Sequence, residues 1–300
     1  MTANDPLIAG VELGGTKCIA VTARGREIVR RAQWPTGDDT AATLGTLADW
    51  LAAEHRAEPF AALGIASFGP LCLDPASADY GRIVNTPKPG WSGADVLGVL
   101  AGDLGVPVAI DTDVAGAALA EGRWGASVGC PVHVYLTIGT GIGGGIVVDG
   151  QPLHGTFHPE MGHVRVRRVV GDPFMGVCPI HGDCLEGLAA GPAIAARAGR
   201  PAEELAPEDP VWGILAGEIG EFMASLILTL APHRIVVGGG VGQGQPALLP
   251  LVHQATARSL GGYLPGHSLE ALQGLIVHPG LGGDAGVCGA LALALGALAD

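Results

Sequence analysis

HVYLTIGTGIGGGIVV, residues 133–148, decides the fold. His133 to Ile138 reads as a strand, GTGIGG at 139–144 as a glycine turn, and Gly145 to Val148 as a returning strand closed by the pair Asp149-Gly150. The turn spells G-x-G-x-x-G. A dinucleotide fingerprint would open a helix there and carry an acidic strand end ~20 residues on. The strand GIVVDG follows instead, which argues against that reading. What fits is a hairpin whose backbone N–H groups face phosphate, with glycine letting the ligand come close. The same arrangement opens the chain: Leu7 to Val11 and Cys18 to Thr22 are apolar strands joined by ELGGTK, residues 12–17. We therefore expect an internal pseudo-repeat of two halves, each beginning strand–glycine turn–strand.

The remaining elements alternate. Helices are expected over 40–55, 94–104, 114–124, 191–197, 211–230 and 248–260. Strands are expected over 62–67, 106–110, 234–237 and 275–278. A small-residue helix closes the chain. Residues 199–210, rich in Pro and Glu, read as an exposed loop, and RVRR at 165–168 as the solvated face of a short strand. Strands alternating with helices imply α/β layers.

Composition narrows the function. The 300 residues suffice for one large domain or two sharing a cleft. Sixteen basic residues stand against 29 acidic ones, a net charge of −13, and no basic surface suited to nucleic acid is visible. The start, MTANDPLIAGVELGG, lacks the features of a signal peptide. The uncharged run Ala285 to Ala299 is shorter than the ~20 residues needed to span a bilayer, so a buried helix is expected rather than a membrane anchor. Six cysteines, only two of them close together, do not make a disulfide framework. We expect a soluble protein of a reducing cytoplasm.

The most specific chemical signal lies at 158–186: HPEMGH, a basic run, then CPIHGDCLEG. His163, Cys178, His181 and Cys184 offer two sulfurs and two imidazoles, the donor set of a closed tetrahedral zinc site. Four protein ligands fill the sphere, so the ion would be structural. Glu160 and Glu186 flank the ligands. Carboxylates fixed there suit a neutral polyol, since each accepts directional hydroxyl hydrogen bonds. His154 and His158 read as loop histidines. Asp113, between a strand and a helix, has two readings: a helix N-cap worth ~1 kcal/mol, or a carboxylate at the strand end, where α/β proteins place substrates. Asp111 is its rival, held closer to the sheet.

Together ELGGTK, the TDV helix start, LTIGTGIGGG, HPEMGH, CPIHGDCLEGLAAGPAI and VVGGGV resemble the ROK (repressor, open reading frame, kinase) family of sugar kinases, in order and spacing, over nearly the whole chain. NTPKPGW at 85–91 and CPIHGDCLEG resemble its bacterial fructokinase branch. The resemblance implies an actin-like (ribonuclease H-like) ATPase fold: two α/β domains around a nucleotide and sugar cleft. We expect residues 1–114 to form the first domain, 115–283 the second with the zinc stretch, and the helix near 284–300 to return to the first. It further implies Asp113 as general base, and Glu160, His163, Glu186, Gly69 and Thr112 on the sugar, with His163 also holding zinc. Gly14, Gly15, Thr16, Lys17, Thr140 and Gly141 would meet phosphate, and Gly239 and Gly240 would lie against adenosine. Substrates and cofactors would be a hexose, ATP, Mg²⁺ and Zn²⁺, and the assembly a homodimer.

Two departures bear on the substrate. Many family members carry Asp at the position of Glu12, near Mg²⁺, and the common Asn-Asp-x-Asn around the base is here Thr112-Asp113-Val114-Ala115. The expected reaction is phosphorylation of fructose at its 6-hydroxyl. The competing readings are a kinase for mannose or glucose, a non-catalytic sugar sensor, a zinc hydrolase and a nicotinamide oxidoreductase. The four-ligand count disfavours the hydrolase, and the strand after GTGIGG disfavours the oxidoreductase.

Overall fold

A computed structural model describes residues 5–299. Its strands are β1 (Leu7–Leu13), β2 (Lys17–Arg24), β3 (Glu27–Pro35), β4 (Leu63–Ser67), β5 (Val108–Thr112), β6 (Val132–Ile138), β7 (Ile142–Val148), β8 (Gln151–Pro152), β9 (Arg234–Gly238) and β10 (Ile276–Val277). Its α-helices are α1 (Thr40–Ala57), α2 (Val96–Ala101), α3 (Asp113–Trp124), α4 (Leu185–Ala189), α5 (Gly191–Ala198), α6 (Val211–Leu230), α7 (Gly239–Gly244), α8 (Leu248–Leu260), α9 (Leu269–Leu275) and α10 (Ala285–Ala297).

Two five-stranded sheets run β3-β2-β1-β4-β5 and β10-β9-β6-β7-β8. Each is built on an antiparallel hairpin, β1–β2 or β6–β7. The hairpin's first strand pairs in parallel with a later strand, β4 or β9, and that one with β5 or β10. The same order therefore occurs twice, as the repeated glycine hairpins predict, and the architecture is the two-fold α/β plan of actin-like ATPases.

The chain divides into two compact units, residues 1–123 with 151–158 and 284–300, and residues 124–150 with 159–283. The first break falls at the end of α3, between Arg123 and Trp124 rather than at 114, and the segment 151–158 returns to unit 1. Two histidines of that segment bond to unit 1. His158 Nε2 accepts the Leu71 N–H at 3.0 Å, and His154 Nε2 donates to Asp111 Oδ2 at 2.8 Å.

In unit 1, Leu44, Leu47 and Leu51 of α1 join the buried residues of β1 and β4 in one core. The closing helix α10, buried along Ala285 to Ala294, contacts β1 and β4. Small residues decide that packing. A Cβ on Gly64 would sit 1.9 Å from the Ala290 carbonyl oxygen, and one on Gly289 would sit 2.5 Å from the Gly116 carbonyl carbon. Any side chain at either position would push α10 off the strand or off α3.

In unit 2 the core gathers β6, β7 and β9 with α6 and α8. By length and composition α6 could cross a membrane. It is instead a core helix, with Leu215, Ile219 and Met223 buried and Glu218 fully enclosed. Arg197 of α5 donates to both Glu218 carboxylate oxygens, at 2.8 and 2.9 Å, and to Asp172 Oδ2 at 2.7 Å. This network corrects the reading of RVRR. Residues 164–168 form no strand, because Arg168 turns in to Asp172 at 3.0 Å and to Glu218 at 3.7 Å.

Candidate functional site

In unit 1 the site is built by register. Leu13 pairs with Ser67, and Ser67 with Thr112, so the parallel strands β1, β4 and β5 end level. Their C-terminal ends carry the Gly14–Lys17 turn, Phe68-Gly69 and Thr112-Asp113, side by side. Such strand ends are where open α/β sheets bind ligands. Thr36, just after β3, straps the turn. Its hydroxyl donates to the Gly14 carbonyl at 2.7 Å, and its N–H to the Thr16 carbonyl at 2.9 Å. Lys88 of NTPKPGW donates to the Thr36 carbonyl at 3.1 Å. Sequence reading missed this brace, since neither β3 nor a lone threonine carries a local signal for it.

The start of α3 settles the capping question. Thr112 Oγ1 accepts the Ala115 N–H at 3.1 Å, so Thr112 caps the helix. Asp113 is its first residue, and Oδ1 accepts the Val114 N–H at 2.9 Å. Asp111, 6% exposed, accepts the Thr112 N–H at 2.7 Å through its other oxygen. The capping role thus falls to Thr112, which leaves Asp113 the strand-end carboxylate.

Glu12 ends up beside the Gly14–Lys17 turn. Its Oε2 is buried with no hydrogen-bond partner, and burial raises its pKa against the pull of Lys17. Gly286, at the start of α10, makes room for it: a Cβ there would fall 2.4 Å from Oε1. A buried carboxylate oxygen lacking a partner fits a divalent cation.

In unit 2 the glycine turn is shorter than GTGIGG. Ile138 pairs with Ile142, so the turn is Gly139-Thr140-Gly141 and β7 begins at Ile142. Gly143 to Gly145 lie inside the strand. One reason is contact: a Cβ on Gly144 would lie 2.2 Å from Met161 Sδ, and one on Gly162 1.8 Å from the Ile142 carbonyl oxygen. Strand and Met161–His163 turn interlock, and this places His163.

Around His163 the four expected ligands converge, their donor atoms all within 4.8 Å of one another. Cys184 Sγ lies 3.5 Å from His163 Nδ1, and Cys178 Sγ lies 3.8 Å from both His163 Nδ1 and His181 Nδ1. Ligands at 2.0–2.3 Å from a zinc ion stand about 3.3–3.8 Å apart in a tetrahedron, so donor types and spacing fit that ion. The knuckle is closed by Cys178 and Gly182, which exchange backbone hydrogen bonds at 3.1 and 2.9 Å. Since Nδ1 of His163 faces the sulfurs, Nε2 is the nitrogen left over.

Both flanking acids are held close. Glu186 Oε2 accepts the Ile142 N–H at 3.1 Å and reaches back to the glycine turn, while Oε1 lies 4.0 Å from His163 Nδ1. Burial and the charge of Glu186 raise Glu160 to about 7.

Gly239 and Gly240 open α7 directly after β9, in register with β6 through Thr137 and Gly238. Gly139, Thr140 and Gly240 line one pocket of about 520 Å³ with Gly191, Trp212 and Gln245. Pro201, Ala202 and Glu203 also line it. These three belong to the stretch read as exposed loop, and their Pro and Glu content gave no sign of a pocket wall. The structure thus brings together Thr140 and Gly240, and separately the four metal ligands with Glu186.

The comparisons with known proteins bear on what these parts serve. A profile described as the ROK family matches residues 8–297. This chain belongs to the ROK family. It is 44% identical over 301 residues to a fructokinase of Zymomonas mobilis, covering 98% of each chain. In three dimensions it resembles a ROK hexokinase from Thermus thermophilus, with a TM-score of 0.80 at 29% identity, covering 98% of this chain and 100% of that one. It also resembles a ROK family glucokinase from Streptomyces griseus in complex with glucose and AMPPNP, with a TM-score of 0.76 at 26% identity over 97% and 99% of the two chains.

Proposed function

We propose that the chain transfers the γ-phosphoryl group of ATP to the 6-hydroxyl of fructose. That it is a sugar kinase, a phosphotransferase, follows from fructokinase relatives that match nearly its full length. One observation carries the choice of fructose: the 44% identity to a fructokinase along 98% of both chains, against 26% to the glucose-bound glucokinase.

Each unit supplies its own part. In unit 1, Asp113 accepts the hydroxyl proton as the sugar oxygen attacks phosphorus in line. Lys17 and the N–H groups of Gly14, Gly15 and Thr16 neutralise charge on the transferring group, and Gly69 and Thr112 border the sugar. In unit 2, Thr140 and Gly141 hold phosphate, Gly239 and Gly240 face the adenosine, and Glu160, His163 and Glu186 accept or donate hydrogen bonds to sugar hydroxyls. Glu12 is suited to hold Mg²⁺, which when bound supplies positive charge for the phosphates. His163, Cys178, His181 and Cys184 would hold Zn²⁺, which does no chemistry and fixes the Glu160 and Glu186 loops.

We take the setting to be the cytoplasm. We take the working form to be a homodimer, which sedimentation at assay concentration checks. The base assignment is tested by Asp113→Asn. We expect turnover to fall by about a thousandfold or more, with the KM for ATP and for fructose within a few-fold of wild type. Near-normal turnover would remove Asp113 from the role.

A further inference from the structure

We infer that His154 and the buried Asp111 form a pair that sets the position of Asp113, so that both are positioning residues for phosphoryl transfer. The inference rests on Asp113 being the base. It follows from a continuous run of hydrogen bonds inside unit 1. His154 Nε2 donates to Asp111 Oδ2 at 2.8 Å, and Asp111 Oδ1 accepts the Thr112 N–H at 2.7 Å. Thr112 Oγ1 then accepts the Ala115 N–H at 3.1 Å, closing the first turn of α3, on which Asp113 stands. Asp113 is thus bracketed by a fixed peptide before it and a capped turn after it.

Two features separate this pair from ordinary packing. The Asp111 side chain is 8% exposed, and a carboxylate enclosed that far is costly without a partner. A strand end needs no such group, and neighbouring positions of β4 and β5 are apolar (Ala66, Ile110). Nor is His154 needed merely to fasten its segment, because His158 already ties that segment to the Leu71 N–H. His154 is the group that neutralises Asp111, and its hydrogen bond to Asp111 raises its pKa above the ordinary histidine value. Sequence reading set His154 aside because its partner lies 43 residues away.

The test compares His154→Leu, which removes the donor, with His154→Gln, whose amide nitrogen can take the place of Nε2. Initial rates are measured with ATP and fructose, scaled to folded protein from melting curves, with Asp113→Asn alongside. His154→Leu should lower kcat between about tenfold and a hundredfold, the range that small misplacements of a reacting group produce. Both KM values should stay within about threefold of wild type. His154→Gln should recover at least about a third of the rate. If His154→Leu does not fold, the isosteric Asp111→Asn is read the same way. A kcat within about twofold of wild type, or a loss confined to KM, overturns the inference while Asp113→Asn remains inactive. An active Asp113→Asn instead overturns the base assignment and, with it, this inference.

Discussion

Arg197→Met tests the buried ion pair of unit 2. Arg197 is 5% exposed at its side chain and Glu218 is 0%, so removing the guanidinium strands a carboxylate in the core of unit 2. Taking one partner from a buried pair costs about 3–5 kcal/mol, because the remaining group stays desolvated. Arg168 Nε, 3.7 Å from Glu218, is too far to take over the two lost hydrogen bonds. A deficit of that size lowers the melting temperature by roughly 10 °C. It also has a sign in pH. Burial raises Glu218 to about 7, and Arg197 exerts the largest opposing pull. Without Arg197 the folded-state pKa rises further. Above about pH 7 the folded variant then keeps a proton that folded wild type and both unfolded chains have released. The folded variant binds more protons than its unfolded form, so its stability falls as pH rises and the deficit widens. Denaturant titrations at about pH 6 and about pH 8.5 measure both effects. Arg197→Met/Glu218→Leu, which replaces the pair with apolar groups, should recover at least half the loss. A single variant within about 1 kcal/mol of wild type, or a double variant no better than the single, would refute the reasoning.

Other perturbations reach different parts of the molecule. Cys184→Ser should release zinc, read by metal analysis of pure protein, and raise the KM for fructose before that for ATP. A wild-type protein without zinc would end the cage argument. Gly64→Ala should cost about 3 kcal/mol or more in thermal or chemical unfolding, because its Cβ meets the Ala290 carbonyl oxygen at 1.9 Å on a backbone that cannot step aside. A neutral effect would mean that α10 does not rest on β4. Thr112→Val keeps the shape of Thr112 and removes the cap on the Ala115 N–H, and should cost about 1 kcal/mol of stability.

The repeat of two glycine hairpins was legible because both its signals are local, alternating apolar residues and a glycine turn. They sufficed to predict the two sheets. The convergence of four candidate ligands was legible for a related reason: Cys178, His181 and Cys184 lie within seven positions, and only His163 had to be brought in from outside. What local pattern could not show was long-range pairing. Arg168 looked like a surface charge until Asp172 and Glu218 were found beside it. His154 acquires its partner across 43 residues. Glycine was only partly understood. The glycine turns suggested backbone close to a ligand, yet Gly64, Gly144 and Gly289 serve close packing between elements. The capping rule pointed one position too late, at Asp113 instead of Thr112, because Asp is the stronger cap by residue type and only the chain geometry selects Thr112.

The central claim is fructose phosphorylation, and a sugar panel tests it most directly. Purified protein with Mg²⁺ and ATP is offered fructose, glucose, mannose and no sugar, ADP release is recorded, and the phosphorylated product is identified. The account predicts the highest kcat/KM with fructose, fructose 6-phosphate as product, and negligible ADP without sugar. A higher kcat/KM with glucose or mannose would contradict it, as would sugar binding with no ADP released.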